Sequence, residues 1–385
     1  MTSNLSAKFL LLEEEVGKEV LEREHEIHTS ILAILARRNH FMVGIPGLAK
    51  SLQIERICAR ISDANYFRVL MSKFSTPEEV FGGIDLRTLK DTGIQKRIID
   101  GMLPTANFGF LDEIFKANSV ILNAMLTAMN ERMFRNGQET LNIPLVSIFG
   151  ASNEIPENDE LSAVWDRLHF RHSVQPLSSS ANMARLLRLE EVENPDPILS
   201  MADIYQAQQD LRKVTIPDSV IEAILDLRAD LAAESIHPTD RRWKQTMDIL
   251  RAEAWLRDGE EVEINDCRSL VHVLWNDSSQ RSTVMSKVLQ MIDPMDRKPV
   301  ELYEALAAQE KMISGASSDN DKMKRLVEVF NKLKKMHPDV TELRDHAKET
   351  ERKSEYIEQA MNKYRGTMKF VQSTMADIQA KAKEQ

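Results

Sequence analysis

The first apolar spacing along the chain is helical. Leu12, Val16, Val20, Ile27, Ile31, Ile34 and Leu35 recur close to a helical period and predict amphipathic helix between residues 5 and 38. The pattern then changes to short, continuously apolar runs separated by helix-like stretches. "HFMVGI" from His40, "YFRVLM" (66–71), "FGFL" (108–111) and "LVSIFGA" (145–151) predict strands, with helices over Ser51–Ile61 and Val120–Glu131. Strands apolar on both faces and joined through helices indicate a parallel sheet covered on both sides, an α/β fold. Two inserts break the alternation. Strand-like runs flank Asp91-Thr92-Gly93 and again Asn136-Gly137, and each predicts a hairpin.

Residues 201–292 read as successive helices, and a polar stretch at 314–321 precedes a charged helical tail. In that tail Ile357, Met361, Tyr364, Met368, Val371, Met375, Ile378 and Ala382 form a heptad seam. Leu326, Val329, Leu333, Met336, Val340, Leu343 and Ala347 keep the same frame upstream, with Pro338 expected to break the helix. Such a seam fits packing within the chain and a coiled coil with another chain equally well. These shifts divide the chain into an N-terminal helical region (1–38), an α/β core (39–192), an all-helical domain (193–295) and a helical, partly coiled-coil tail (296–385).

Composition narrows the partners. With 385 residues the chain holds two or three domains, and 42% apolar with 29% charged residues suits a soluble globular protein. A net charge of −10 argues against a broad basic face, so nucleic acid is not the default partner. Cys58 and Cys267 lie far apart in helix-like patterns and read as reduced thiols, which fits the cytoplasm. Neither a signal peptide nor a membrane span is apparent, since no run approaches about 18 uncharged apolar residues.

The candidate chemistry lies at strand ends. "GIPGLAKS" (44–51) follows a strand and opens a helix, close to the phosphate loop G-x-x-x-x-G-K-[ST] but with Ala49 at the last glycine. Amides at Gly47, Leu48 and Ala49 would face phosphates, Lys50 would reach the terminal ones and Ser51 would hold Mg²⁺. Alanine is tolerable at position 49 if its φ is helical. "FGFLDEIFKA" ends a strand in Asp112, suited to the metal, and Glu113, suited to general-base work on water. "IFGASNEIP" ends a strand in Asn153, whose amide could orient that water or simply shape the turn before Pro156. "WDRLHFR" offers Arg167 and Arg171 on a helix outside the sheet, either surface cations or a finger for a neighbour's nucleotide. Arg241 and Arg242 open a later helix, where cations oppose the dipole and a purely structural role is disfavoured.

With "MSKFSTPEEVFG", "GMLPTANFGFLDEIFKA", "ILNAMLTAMNERMFRNG", "ASNEIPE", "WDRLHFR" and "TDRRWK" in this order, residues 8–290 resemble a MoxR-family AAA+ ATPase, closest to the RavA type. The resemblance implies an ATPase with ATP and Mg²⁺, the helical domain as its lid, and a ring, expected to be a homo-hexamer. It implies a nucleotide-binding run of Gly44, Gly47, Leu48, Ala49, Lys50, Ser51 and Leu52, with Ser51 and Asp112 at the metal. It further implies Glu113, Asn153 (sensor 1), Arg167 (finger) and Arg241 (sensor 2) as catalytic, and an adenine-pocket position near Leu21. The expected work is remodelling or assembling a client protein, with a separate von Willebrand factor A-domain protein as partner. A nucleic-acid translocase using Lys90, Lys96 and Arg97 in a pore, and a nucleotide-gated scaffold, are the alternatives. The helical tail departs from the β-rich C-terminal module of RavA-type proteins.

Overall fold

The structure is a computed structural model that describes residues 4–155, 161–189, 195–292, 319–349 and 355–384, with isolated positions between 299 and 309. Pro156 and most of the 314–321 stretch lie outside the described residues. Two compact units emerge, one of residues 1–225 with 236–278 and one of 226–235 with 279–385.

In the first unit the N-terminal helical pattern resolves into two helices, α1 (Asn4–Glu19) and α2 (Glu24–Leu35), parted at Glu22, whose φ is 55°. The sheet follows. It contains β1 (Asn39–Val43), β3 (Tyr66–Leu70), β4 (Phe108–Asp112), β7 (Ser147–Ser152) and β8 (Leu168–Ser173), all parallel, in the order β3-β4-β7-β1-β8. Every residue of β1 and β7 is buried, as central parallel strands require. A two-stranded pair of β2 (Ile61–Ser62) and β9 (Leu199–Ser200) lies apart from it. The helices are α3 (Lys50–Ala59), α4 (Pro77–Phe81), α5 (Leu86–Thr92), α6 (Ser119–Glu131), α7 (Ser162–Arg167), α8 (Ser180–Leu186), α9 (Met201–Asp210) and α11 (Asp240–Leu256), while α10 (Asp218–Ala233) is divided between the two units at residue 225.

Three expectations are corrected here. The segment around Asp91-Thr92-Gly93 is not a hairpin but α5. Asp85 caps its start by accepting from the Arg87 and Thr88 amides, and Gly93 ends it at a φ of 70°. Only one antiparallel bridge, Ile84 to Arg97, remains of the expected pairing. The second hairpin does form, from β5 (Met133–Asn136) and β6 (Glu139–Asn142), but Asn136 pairs with Glu139. The two-residue loop is therefore Gly137-Gln138, with φ of 67° at the glycine, a type II′ arrangement shifted one residue from the Asn-Gly reading. The third correction is β8. "LHFRHS" carries His, Arg and His, which hid an edge strand paired with β1 behind a polar composition.

The second unit holds α12 (Arg281–Ile292) and two long helices, α13 (Asp319–Glu349) and α14 (Glu355–Glu384). Five residues cannot span the length of helices this long, so their extensive mutual packing makes an antiparallel hairpin. The heptad seams face each other. Leu326, Val329, Leu333 and Val340 pack with Ala360, Tyr364 and Val371, and the Tyr364 hydroxyl donates to the Leu333 carbonyl at 3.2 Å. The side chains of Leu343, Ala347 and Ala382 lie outside the described residues. Helix α13 runs through Pro338 unbroken, contrary to expectation. Pro338 and Lys334 are both exposed, so water can take the carbonyl that the proline leaves without its helical donor.

An ion triad fixes the N-terminal helices to α11. His28 on α2 meets Glu13 on α1 at 3.2 Å through Nδ1 and Glu253 on α11 at 3.0 Å through Nε2. Burial alone would lower the imidazole pKa, but the Glu253 charge and the Glu13 hydrogen bond outweigh it and raise it from 6.5 to about 10. A folded pKa above the unfolded one gives stabilisation that is complete below about pH 6.5 and is lost as pH rises through 10. Relative to His28→Gln, wild type should therefore lose its stability advantage progressively from pH 6.5 to 10 in urea titrations. A constant difference over that range would contradict a charged His28.

Candidate nucleotide site

The carboxyl ends of three adjacent strands converge, the usual ligand edge of an open parallel sheet. β1 runs into the loop 44–49 and α3, β4 ends in Asp112-Glu113, and β7 ends before Asn153. A Cβ on Gly44 would sit 2.7 Å from the Val174 carbonyl, so the loop can leave β1 beside the end of β8 only with glycine there. Gly47 follows with a φ of 83°.

Ala49 adopts φ 59° and ψ 22°, a left-handed conformation. The tolerance anticipated for this alanine assumed a helical φ, and that assumption fails. The methyl group is instead accommodated at a position costing roughly 1–2 kcal/mol for an L-residue. Glu113 is likewise left-handed, at φ 53°. Two strained residues within one site suit a constellation held in place by its surroundings.

The amides of Ala49, Lys50, Ser51 and Leu52 donate to no backbone carbonyl among the described residues. They are the orphan donors of a helix start with no side chain capping them, and they suit phosphate oxygens. Lys50 is almost fully buried, and its ammonium donates to the Gly44 carbonyl, to the Ile45 carbonyl at 3.2 Å and to Asn153 Oδ1 at 3.5 Å. Burial lowers its pKa, while Asp112 and Glu113 act in the opposite sense. Asn153 Nδ2 in turn donates to Glu113 Oε1 at 2.5 Å, and the Ser152 hydroxyl donates to Glu113 Oε2 at 3.4 Å. Asp112 Oδ1 accepts the Glu113 amide at 3.1 Å. Ser51 and Leu52 lie half-buried in the first turn of α3, and Leu48 is half-buried in the loop.

Lys116 escaped the sequence reading. It pairs with Glu113 Oε2 at 3.3 Å, and the only signal for it was a cation three residues after the acid. Leu21 is buried in the turn between α1 and α2. That turn is tied to the chain after β8, because Glu22 accepts from the Ser178 amide at 2.7 Å and the Ser179 amide at 3.0 Å.

The arginines separate into two kinds. Arg171 is fully buried and donates to the carbonyls of Leu168 (3.0 Å), Trp165 (2.7 Å) and Trp275, with its guanidinium 4.0 Å from the Trp165 ring centroid. Committed to its own chain in this way, it cannot serve as a finger for a neighbour. Arg242 is also buried and binds five backbone carbonyls, among them Val273 at 2.8 Å and Asp166 at 2.9 Å. Arg167 is half-buried at the end of α7, bonded to the Ala163 carbonyl at 2.5 Å. Arg241 is half-exposed and lies 3.7 Å from Asp166. The described contacts bring neither Arg167 nor Arg241 to the Lys50–Asn153–Glu113 group.

This fold and loop define a P-loop ATPase of the AAA+ class with a helical lid. The model of the MoxR domain from MoxR–vWA–β-propeller ternary systems matches residues 8–210, and that of an AAA lid domain matches residues 219–288. The chain belongs to the MoxR family of AAA+ ATPases. That model describes a ternary-system group rather than the RavA type. An uncharacterised protein of Methanocaldococcus jannaschii is 33% identical over 369 residues, covering 94% of this chain and 98% of its own. The chaperone MoxR1 of Mycobacterium tuberculosis is 24% identical over 204 residues, 51% of this chain and 52% of its own. The crystal structure of a candidate ATPase from Cytophaga hutchinsonii superposes with a TM-score of 0.61 at 18% identity, covering 74% of this chain and 94% of that one.

The strain at position 49 is directly testable. Ala49→Gly should stabilise the folded protein by about 1 kcal/mol, the left-handed penalty less the added chain entropy of glycine. A denaturant midpoint unchanged or lowered in that variant would show that the alanine is not strained.

Proposed function

We propose that the protein hydrolyses ATP between the subunits of a ring, expected to be a homo-hexamer, and uses the cycle to remodel or assemble a client protein. The observation that carries this reading is the hydrogen-bonded run from Lys50 through Asn153 to Glu113, beside four amides without protein acceptors. The free amides and Lys50 bind the phosphates. Ser51 and Asp112 are the residues that would hold Mg²⁺, which supplies neutralisation of phosphate charge when bound. Asn153 orients a water and Glu113 accepts its proton. Leu21 lies on the adenine side. Arg167 reaches from the neighbouring subunit to the developing γ-phosphate charge, and Arg241 reports nucleotide state to the lid.

The family description, drawn from systems that pair MoxR with a vWA protein, supports a separate vWA-domain chain as partner. Similarity to a named chaperone supports a protein client. The nucleic-acid alternative loses ground, because Lys96 pairs with Glu139 at 2.8 Å and Arg97 with Glu78 at 3.1 Å instead of standing free. No helix among the described residues is long and apolar enough to cross a membrane, and the cytoplasm is the proposed location.

ATP turnover measured against protein concentration, with particle size alongside, tests this reading. Turnover should rise cooperatively as rings form. Glu113→Gln should bind ATP normally and hydrolyse it at least about 100-fold more slowly. Arg167→Ala should assemble yet lose about 1,000-fold in turnover. Concentration-independent turnover with a silent Arg167→Ala would remove the shared site, and unchanged turnover in Glu113→Gln would remove the base.

A further inference from the structure

A second cavity opens at the opposite edge of the sheet, where the strands begin. Its volume is about 580 Å³, and five arginines line it: Arg37, Arg38, Arg132, Arg212 and Arg251, with Asp248 the one carboxylate. Arg37 and Arg38 immediately precede β1, whose five residues place them about 16 Å from the phosphate loop. Arg132 follows α6, Arg212 follows α9, and Arg251 projects from α11. Sequence distance hid this convergence completely.

Structural duties account for part of the charge. Arg132 donates to the carbonyls of Ala128 (3.3 Å), Arg37 (3.1 Å) and Val146 (2.9 Å) and so closes chain ends. Arg38 and Arg251 share Asp248, the second at 3.4 Å, and Arg251 also donates to the Val214 carbonyl at 3.2 Å. Carbonyls satisfy donors but cancel no charge. The side chains of Arg37 and Arg212 make no hydrogen bond or ion pair among the described residues, and buried Arg38 Nε has no acceptor. Five guanidinium groups thus face one carboxylate, an excess of four positive charges within a protein whose net charge is −10. Their mutual cost is visible: burial, then Arg37 and Arg38, pull the Arg132 pKa down to about 9. His169, also in the lining, is held neutral by burial and by the nearby arginines.

We infer that this cavity binds a small molecule carrying adjacent phosphate groups, at a site separate from the phosphate loop. A compact polyanion matches four surplus charges in so small a volume, and guanidinium forks match phosphate oxygens in pairs. A carboxylate-bearing peptide from another chain would spread fewer charges over more surface.

Inorganic pyrophosphate is the probe, titrated calorimetrically into Lys50→Ala protein so that the phosphate loop is disabled. One equivalent should bind. Adding Arg37→Gln and Arg212→Gln should weaken it at least tenfold without lowering the thermal midpoint, since neither side chain has a partner to lose and the Arg37 charge repels Arg132. Absence of binding to Lys50→Ala, or binding indifferent to the two arginine changes, would overturn the inference. If wild type binds pyrophosphate and Lys50→Ala does not, the anion belongs to the phosphate loop, and the proposed ATP site stands while this one falls.

Discussion

The carboxamide of Asn153 accepts from Lys50 through its oxygen and donates to Glu113 through its nitrogen at once. An aspartate there would set a second negative charge against Glu113, and a leucine would leave two nearly buried charged groups unbridged. The bridge links a loop after β1, an acid after β4 and the end of β7, three segments that share only the carboxyl edge of the sheet. Its geometry therefore depends on the full burial of β1 and β7, which holds those strand ends in register.

Strain and support are adjacent in this arrangement. Ala49 and Glu113 both occupy left-handed backbone, and each is flanked by a strand that is packed on both sides. The cost is borne by the core, through rings such as Phe41 against Trp165 at 5.2 Å. Trp165 in turn carries the guanidinium of Arg171 on its face, so a cation that reads as catalytic in sequence is part of the packing under the site.

Much of this was legible from residues alone, for physical reasons. The phosphate loop, the Asp-Glu pair and Asn153 each end an apolar run, and strand ends are where parallel sheets present side chains. The helical tail was equally plain, yet a heptad seam cannot say whose helix it faces, and only the fold shows α13 turned against α14. What stayed hidden depended on burial of polar groups. Arg171 and Arg242 bury their charges by binding carbonyls, and β8 is written in His and Arg. Helix α5 was masked because a good cap at Asp85 and a left-handed Gly93 outweighed its strand-like apolar spacing. The arginine cavity draws on five segments, so no local pattern could announce it.

The central claim is that the free amides at the start of α3 are the phosphate donors. Amide hydrogen exchange on Glu113→Gln protein, with and without ATP and Mg²⁺, measures this directly. The account predicts strong slowing for Ala49 to Leu52. Unaltered exchange at those four amides in saturating ATP would contradict it.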